Sequence, residues 1–198
     1  MDAAILLLLF GINGLQIDPI FQTQVINSTT FSGVFQTKDA TNTITVDWGD
    51  GTAHNTYVGT SDQAFTHTYA SGTTTYNVKI YAANSSVLTK ISVSNGNLGG
   101  TLSLPSGMTS FACYGSNTLS GYTPSTKASN QQRFYLSTTG PGMSSTDVDN
   151  ILIDYAAAGG TWQAPKDLEI QGTSHGKRTA ASNAAYATLL AALTTLSV

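Results

Sequence analysis

Alternation of apolar and polar residues in the first half of the chain restricts the possible folds more than any other feature. The segments ITVDW (44–48) and YNVKIY (76–81) both alternate. A period of two places one face of a strand in a core and the other toward water. Between them, GDGT (49–52) indicates a turn, because Gly tolerates positive φ and Asp hydrogen-bonds to its own backbone. The pattern predicts an antiparallel β-sandwich.

Charge is scarce in this chain of 198 residues. Charged residues make up 10 % and the net charge is −3, whereas an ordinary soluble domain has about 25 % charged residues. Hydrophobic residues make up 40 %, which is enough for a core and argues against charge-driven disorder. The eight Lys and Arg are scattered, and only Lys177 and Arg178 are adjacent. A phosphate-binding face needs a basic cluster, so we expect no nucleic-acid partner.

Cysteine and histidine usage argues against disulfides and metal sites. Cys113 is the only cysteine, so an intrachain disulfide is impossible. It alternates with Phe111, which favours a small buried hydrophobe over a reactive thiol. His54, His67 and His175 stand apart without metal-ligand spacing. We expect no metal and no cofactor.

Residues 1–18 begin with an apolar run that we interpret as a docking arm. The run is too short to cross a bilayer, which needs about 20 apolar residues, so we expect no membrane span. An unprocessed signal over residues 1–12 is the alternative, although Asp2 stands where a signal peptide has Lys or Arg. The residues assigned to assembly with other subunits are Ile5, Leu6, Leu7, Leu8, Leu9 and Phe10.

Three motifs in the first half follow one another in the order found in PKD (polycystic kidney disease) domains. They are VDWGDGT (46–52), HTY (67–69), and Gly72 followed by YNV (76–78). This resembles the family's W-x-F-G-D-G-like turn, H-x-Y and G-x-Y-x-V motifs, although the spacing after Gly72 is longer here. The resemblance implies an Ig-like sandwich over residues 19–84. In that family, the sandwich functions in adhesion and occurs in carbohydrate-active surface proteins and in phage structural proteins.

The second half, residues 85–198, shows a repeat of short strands. Apolar-x-apolar steps occur at 91–93, 111–113, 134–136 and 168–170, each before turn residues and separated by 20, 23 and 34 residues. Such steps indicate stacked turns of a solenoid. The segment resembles irregular, BspA-type leucine-rich repeats.

Two helices follow from the apolar spacing of the tail. In the first, Val148, Ile151, Leu152 and Tyr155 share one face after an N-cap at 144–147. The second begins at about Ser182, and its apolar stripe consists of Tyr186, Leu189, Leu190, Leu193 and Leu196. The order helix, strand, helix predicts a parallel strand ladder with helices outside. The tail resembles the C-terminal caps of PKD/leucine-rich-repeat proteins from bacteriophages and Bacteroidetes-type bacteria.

The predicted fold class is therefore mainly β with an α/β C-terminal part. It consists of an Ig-like, PKD-like β-sandwich and a short leucine-rich-repeat-like solenoid with two helices.

Four residues are candidate contacts or ligands. Asp47 and Asp50 flank the turn and could bind Ca²⁺, but two carboxylates are few for a calcium loop. We favour hydrogen bonds from the turn amides to Asp50. Trp48 is in phase with the buried face, which favours the core over a sugar-stacking surface. Trp162 lies in a loop and is either an exposed interface aromatic or a tryptophan folded back over the helix.

No reactive constellation is recognisable in the sequence. Ser137, Asp154 and His175 are the residue types of a hydrolase triad, but nothing places them together and no G-x-S-x-G elbow exists. We expect a non-enzymatic virion structural protein of a bacteriophage, located in the virion as a capsid-decorating, head-fibre or tail-associated subunit. Its expected partners are other copies of itself, other virion proteins and host surface glycans. The alternative is an extracellular bacterial cell-surface adhesin or carbohydrate-binding module.

Overall fold

The computed structural model describes residues 18–138, 142–159, 161–172 and 175–198. The predicted arm residues, Ile5 to Phe10, lie outside this described part. The described part is mostly β, with two short α-helices. The strands are β1 (Phe21–Val25), β2 (Thr30–Thr37), β3 (Ile44–Asp47), β4 (Asn55–Tyr57), β5 (Gln63–Thr68), β6 (Tyr76–Tyr81), β7 (Leu88–Asn95), β8 (Leu98–Ser103), β9 (Ser110–Thr123), β10 (Arg133–Thr138), β11 (Asp167–Gly172) and β12 (Thr195–Ser197). The helices are α1 (Ser145–Ala157) and α2 (Asn183–Ala192), with a 3-10 turn at Ala180–Ser182.

The strands of the first half pair in antiparallel fashion. β6 lies between β1 and β3, and β3 pairs with β4 on its other side. β2 lies between β5 and β7. The alternation predicted for 44–48 is observed, because Ile44, Val46 and Trp48 are buried while the residues between them are half-buried. Aromatic rings fill the space between these strands, and Phe35 stacks on Phe65 with ring centroids 4.3 Å apart.

The strands of the second half form a parallel ladder in the order β7, β9, β10, β11, β12. One row of partners runs across it: Ile91, Phe111, Phe134, Leu168 and Leu196. The first four are the residues that begin the predicted apolar steps. All four are buried. Residues that lie opposite one another on paired strands point to the same face of the sheet, and here that face is the core.

The predicted fold class is wrong, because the two halves form one sheet. Residues 110–113 of β9 pair with β7 and β10, whereas residues 118–123 of the same strand pair with β8. β8 in turn pairs with β1. The result is a 12-stranded, nearly closed mixed sheet rather than an Ig-like sandwich followed by a solenoid. Alternation and spacing predict individual strands, but they do not predict which strands distant in sequence pair with each other.

Helix α1 packs against β9 and buries the face that its apolar spacing predicts. Val148, Ile151, Leu152 and Tyr155 are buried. A capping box joins Ser144 to Asp147 at the start of the helix. Neither described helix is long and apolar enough to cross a membrane.

Helix α2 packs on α1 and begins at Asn183, close to the predicted start. Its predicted apolar stripe is only partly inward, because Leu189 is buried while Leu190 is 60 % exposed.

Candidate functional site

The turn after β3 is held by its two aspartates. Asp50 Oδ1 accepts hydrogen bonds from the backbone N and the Oγ1 of Thr52, at 3.0 and 2.6 Å. Asp50 Oδ2 lies 2.8 Å from His67 Nε2. Asp47 Oδ1 accepts from the backbone N of Gly49 at 2.9 Å. The Asp50 carboxylate therefore links the turn to β5, and the Asp47 carboxylate stabilises the turn itself.

This environment changes the acidity of Asp50. Burial is the largest single influence and opposes ionisation, but hydrogen bonds from Thr52 and His67 outweigh it and lower the pKa of Asp50 to about 2. Both of its oxygens are engaged with the protein, as the turn interpretation of Asp50 predicts. In the described part of the chain, no three His, Cys, Asp or Glu side chains are grouped so that they could hold a metal ion.

Trp48 is part of the core, as its phase in β3 and the turn predicted. It is 1 % exposed and stacks on His67 with centroids 4.7 Å apart. Its Nε1 donates a 2.6 Å hydrogen bond to Asn55 Oδ1. The buried indole is therefore no sugar-stacking surface, and it anchors the turn described above.

Trp162 is not an exposed contact. It is 6 % exposed and its ring lies 5.9 Å from the ring of Tyr155 in α1. The loop after α1 folds back over the helix, which buries the indole against an aromatic partner. Of the two interpretations of Trp162, the folded-back one describes the structure.

The side chain of Lys127 is fully buried beside α1. Its Nζ donates to the Oγ and the carbonyl oxygen of Ser125, at 2.5 and 3.0 Å, and lies 3.7 Å from Asp154 Oδ2. The same amine faces the rings of Tyr122 and Tyr155. Burial lowers the pKa of Lys127 to about 8, against the opposing effect of Asp154.

A lysine beside a serine hydroxyl is also the pair that activates serine in some hydrolases. Here the hydroxyl of Ser125 donates to the carbonyl oxygen of Leu104 at 3.2 Å and accepts from Lys127. Its hydrogen therefore points away from the amine. Asp154 Oδ2 accepts from the Ser125 backbone N and the Tyr122 hydroxyl, at 2.8 Å each. The cluster fastens the loop after β9 to α1.

The three residue types of a hydrolase triad stay in different places. Ser137 lies in β10, Asp154 belongs to the buried lysine cluster, and His175 lies in the segment after β11. The hydrogen bonds described for Asp154 join it to Tyr122 and Ser125. The structure therefore shows no triad among the described residues.

An open groove of about 930 Å³ lies where β11 and β12 end. Residues 170–172 of β11, Ser197 of β12 and Val198 line it, and residues 175 and 177–180 with Asn183 of α2 form the rest of its wall. Two cationic side chains, Lys177 and Arg178, and the imidazole of His175 line it.

Two contacts fix the wall of this groove against α1. The buried carboxylate of Asp149 accepts hydrogen bonds from the backbone N and hydroxyl of Thr179 and from the hydroxyl of Ser182. The backbone N of Gly176 donates to the carbonyl oxygen of Met143 at 2.7 Å. A Cβ on Gly176 would lie 2.2 Å from the backbone N of Ser145, so only glycine permits this close approach.

Sequence reasoning missed this groove, although one signal was present. Lys177 and Arg178 are the only adjacent cationic residues in the sequence, and such a pair is a local concentration of positive charge although it is too small for a nucleic-acid interface. Comparisons with known proteins do not supply the missing information. No protein-family model matches the chain, and no curated protein or solved structure matches it.

Proposed function

We propose that the protein is a non-enzymatic structural subunit on the surface of a bacteriophage virion, as a capsid-decorating, head-fibre or tail-associated protein. The observation that best supports a non-enzymatic role is that its buried carboxylates form structural hydrogen bonds and ion pairs. The described aspartates with little exposure join chain segments to one another. A catalytic acid or base must instead reach a proton of the substrate.

Three ties illustrate the pattern. Asp50 joins the turn after β3 to His67 of β5. Asp149 joins α1 to the turn before α2. Asp167 accepts from Arg133 at 2.9 Å and joins β11 to β10. Carboxylates that are engaged in this way stabilise loops and strand ends, which suits a scaffold more than a reaction site.

The virion location rests on the sequence. The motifs around Trp48 resemble domains found in phage structural proteins, and the composition is rich in Thr, Ser, Gly and Asn. An apolar arm such as residues 5–10 would stabilise the subunit through assembly, because a partner that binds only the folded state adds its binding free energy to stability.

Purified particles provide the test. Mass spectrometry of the particles should find the chain in a fixed ratio to the major capsid protein, and imaging should place it on the outer surface. A variant without residues 1–10 should fold as a soluble module and be missing from the particles. As a control, the substitution Lys38→Gln, at an exposed site in the described part, should leave incorporation unchanged.

Two results would overturn the proposal. Particles that lack the chain, together with its recovery from the cell envelope of uninfected bacteria, would favour the adhesin alternative. Turnover of a substrate that stops when Lys127 or Ser125 is replaced, while the fold survives, would make the protein an enzyme.

A further inference from the structure

The groove at the ends of β11 and β12 concentrates positive charge in an acidic protein. The whole chain has eight Lys and Arg and a net charge of −3. Two of the eight, Lys177 and Arg178, line this one groove together with His175. Among the described residues that line it, none is Asp or Glu. A concave surface with an excess of positive charge attracts anions.

Arg178 is held in place before any ligand arrives. Its Nη1 donates a 2.7 Å hydrogen bond to Asn183 Oδ1, and its guanidinium carbon lies 4.1 Å from the centroid of the Tyr186 ring. This leaves other guanidinium N–H groups for a planar acceptor such as a carboxylate, or for a phosphate. Because the side chain is already ordered, binding costs less conformational entropy.

Two carboxylates are described beside the groove, and neither lines it. Glu169 accepts a 2.7 Å hydrogen bond from Gln171 of the lining, and the second is Asp149. Asp149 lies behind the wall, is 4 % exposed, and already accepts hydrogen bonds from Thr179 and Ser182. Its charge is felt by Arg178. Lys177 is exposed and has no described ion pair. An anion in the groove would therefore meet at least one cation without a described carboxylate partner.

Size and position agree with a ligand site. A volume of about 930 Å³ lies in the range of small-molecule sites, which is about 300–1,000 Å³. The groove lies at the carboxyl ends of the parallel strands β11 and β12. Val198, which is half-buried, adds a small apolar surface beside the cations.

We propose that this groove binds an oxyanionic group, a carboxylate or a phosphate, presented by a glycan of the host surface. The choice of a glycan rests on the proposed virion function, whereas the choice of an oxyanion rests on the groove alone. Binding at a single groove of this kind would be weak, and many copies on one particle would add avidity.

Binding of three probes to the purified full chain tests the site. Trigalacturonate presents carboxylates on a sugar chain, galactotriose is its neutral counterpart, and inorganic phosphate presents the oxyanion without a sugar. We expect trigalacturonate to bind, with an affinity that falls as salt rises, and galactotriose to bind far more weakly. Lys177→Gln together with Arg178→Gln should weaken binding about tenfold or more, because charge-assisted hydrogen bonds are lost.

Controls separate the groove from general charge and from unfolding. Lys38→Gln removes one exposed cation outside the groove and should leave the affinity unchanged. Lys177→Gln alone keeps the Arg178 contacts with Asn183 and Tyr186, so it should weaken binding without lowering the melting temperature. Phosphate binding without trigalacturonate binding would support the oxyanion site and overturn its assignment to a glycan carboxylate.

The proposal is wrong if none of the oxyanion probes binds, or if binding is unchanged by the double substitution. Equal binding of galactotriose would also overturn it. A chain that binds trigalacturonate through the groove but is missing from virions would refute the proposed location and leave the oxyanion site standing. A chain that is present in virions but binds none of the oxyanion probes would refute the oxyanion site and leave the proposed location standing.

Discussion

Single residues with strong local patterns were predictable from the sequence. Trp48 follows the alternation of β3 and is buried, and Cys113 follows Phe111 and is fully buried. Burial raises the pKa of the Cys113 thiol far above its ordinary value, as expected for an inert cysteine. Trp162 was ambiguous, because a loop has no period, and only the position of Tyr155 decides which way the indole points.

Asp50 should stabilise the folded state through its ionised form. Its pKa is lowered from 3.8 to about 2 in the folded protein. A carboxyl with a depressed folded pKa stabilises above its unfolded pKa and loses that contribution as pH falls toward the folded value. Asp50→Asn should therefore lower the free energy of unfolding by about 2 kcal/mol at pH 7. Urea unfolding measures this loss.

The pH dependence separates this effect from packing. The difference between the wild type and Asp50→Asn should shrink as pH falls from 4 to 2, because the wild-type carboxylate then becomes protonated. Asp62→Asn is the matched control, since the Asp62 side chain is 49 % exposed in its ion pair with Lys90 and exposed pairs contribute little. A constant difference across this pH range would contradict the assigned role of Asp50.

At the scale of elements, β9 is the strand that sequence patterns described least completely. The step at 111–113 correctly indicated a strand, and its register with residues 91–93 and 134–136 agrees with the predicted spacing. Nothing in the sequence indicated that the same strand continues to Thr123 and pairs with β8. The buried side chain of Asn117 lies at the point where the partners of β9 change.

Asn117 satisfies the backbone where β9 passes from one set of partners to the other. Its Oδ1 accepts from the backbone N of Leu98 at 3.0 Å, and its Nδ2 donates to the carbonyl oxygen of Ser137 at 2.8 Å. Nδ2 also reaches the carbonyl oxygen of Cys113 at 3.4 Å. The amide thus connects β8, β9 and β10, where the strand register changes.

Asn117→Ala should be among the most destabilising polar substitutions in the chain. It would leave the Leu98 N–H and the Ser137 carbonyl without this partner in a dry interior, at about 1–3 kcal/mol for each group. We expect a loss of about 3 kcal/mol or more in the free energy of unfolding, measured by denaturant titration.

Asn77→Ala in β6 is the control for this substitution. Asn77 is exposed, and its side chain accepts one 3.3 Å hydrogen bond from Gln24, so we expect a change within about 0.5 kcal/mol. Similar losses for the two variants would show that Asn117 does not hold the crossing of β9.

At the scale of the whole molecule, the sequence indicated the individual strands and helices better than the pairing of distant strands. The antiparallel strands, the parallel steps and helix α1 each follow from a local period. The joining of β1 to β8 and of β2 to β7 does not, because these pairs bring together strands that are distant in sequence and have no local signature. The groove was missed for the same reason, since it forms only where strand ends and the segment before α2 meet.

This connection predicts one cooperative unfolding transition rather than two. β1 and β2 of the first half pair with β8 and β7, which lie beyond residue 84, and buried residues from Phe21 to Leu189 form one cluster. Removing residues 85–198 would expose the edges of β1 and β2 and one side of the core. Calorimetry of the full chain should give equal calorimetric and van't Hoff enthalpies, and a fragment of residues 18–84 should show no cooperative melting. Two separate transitions, with a fragment that melts at the temperature of one of them, would instead mean that the halves are independent domains joined only by the β1–β8 and β2–β7 pairings.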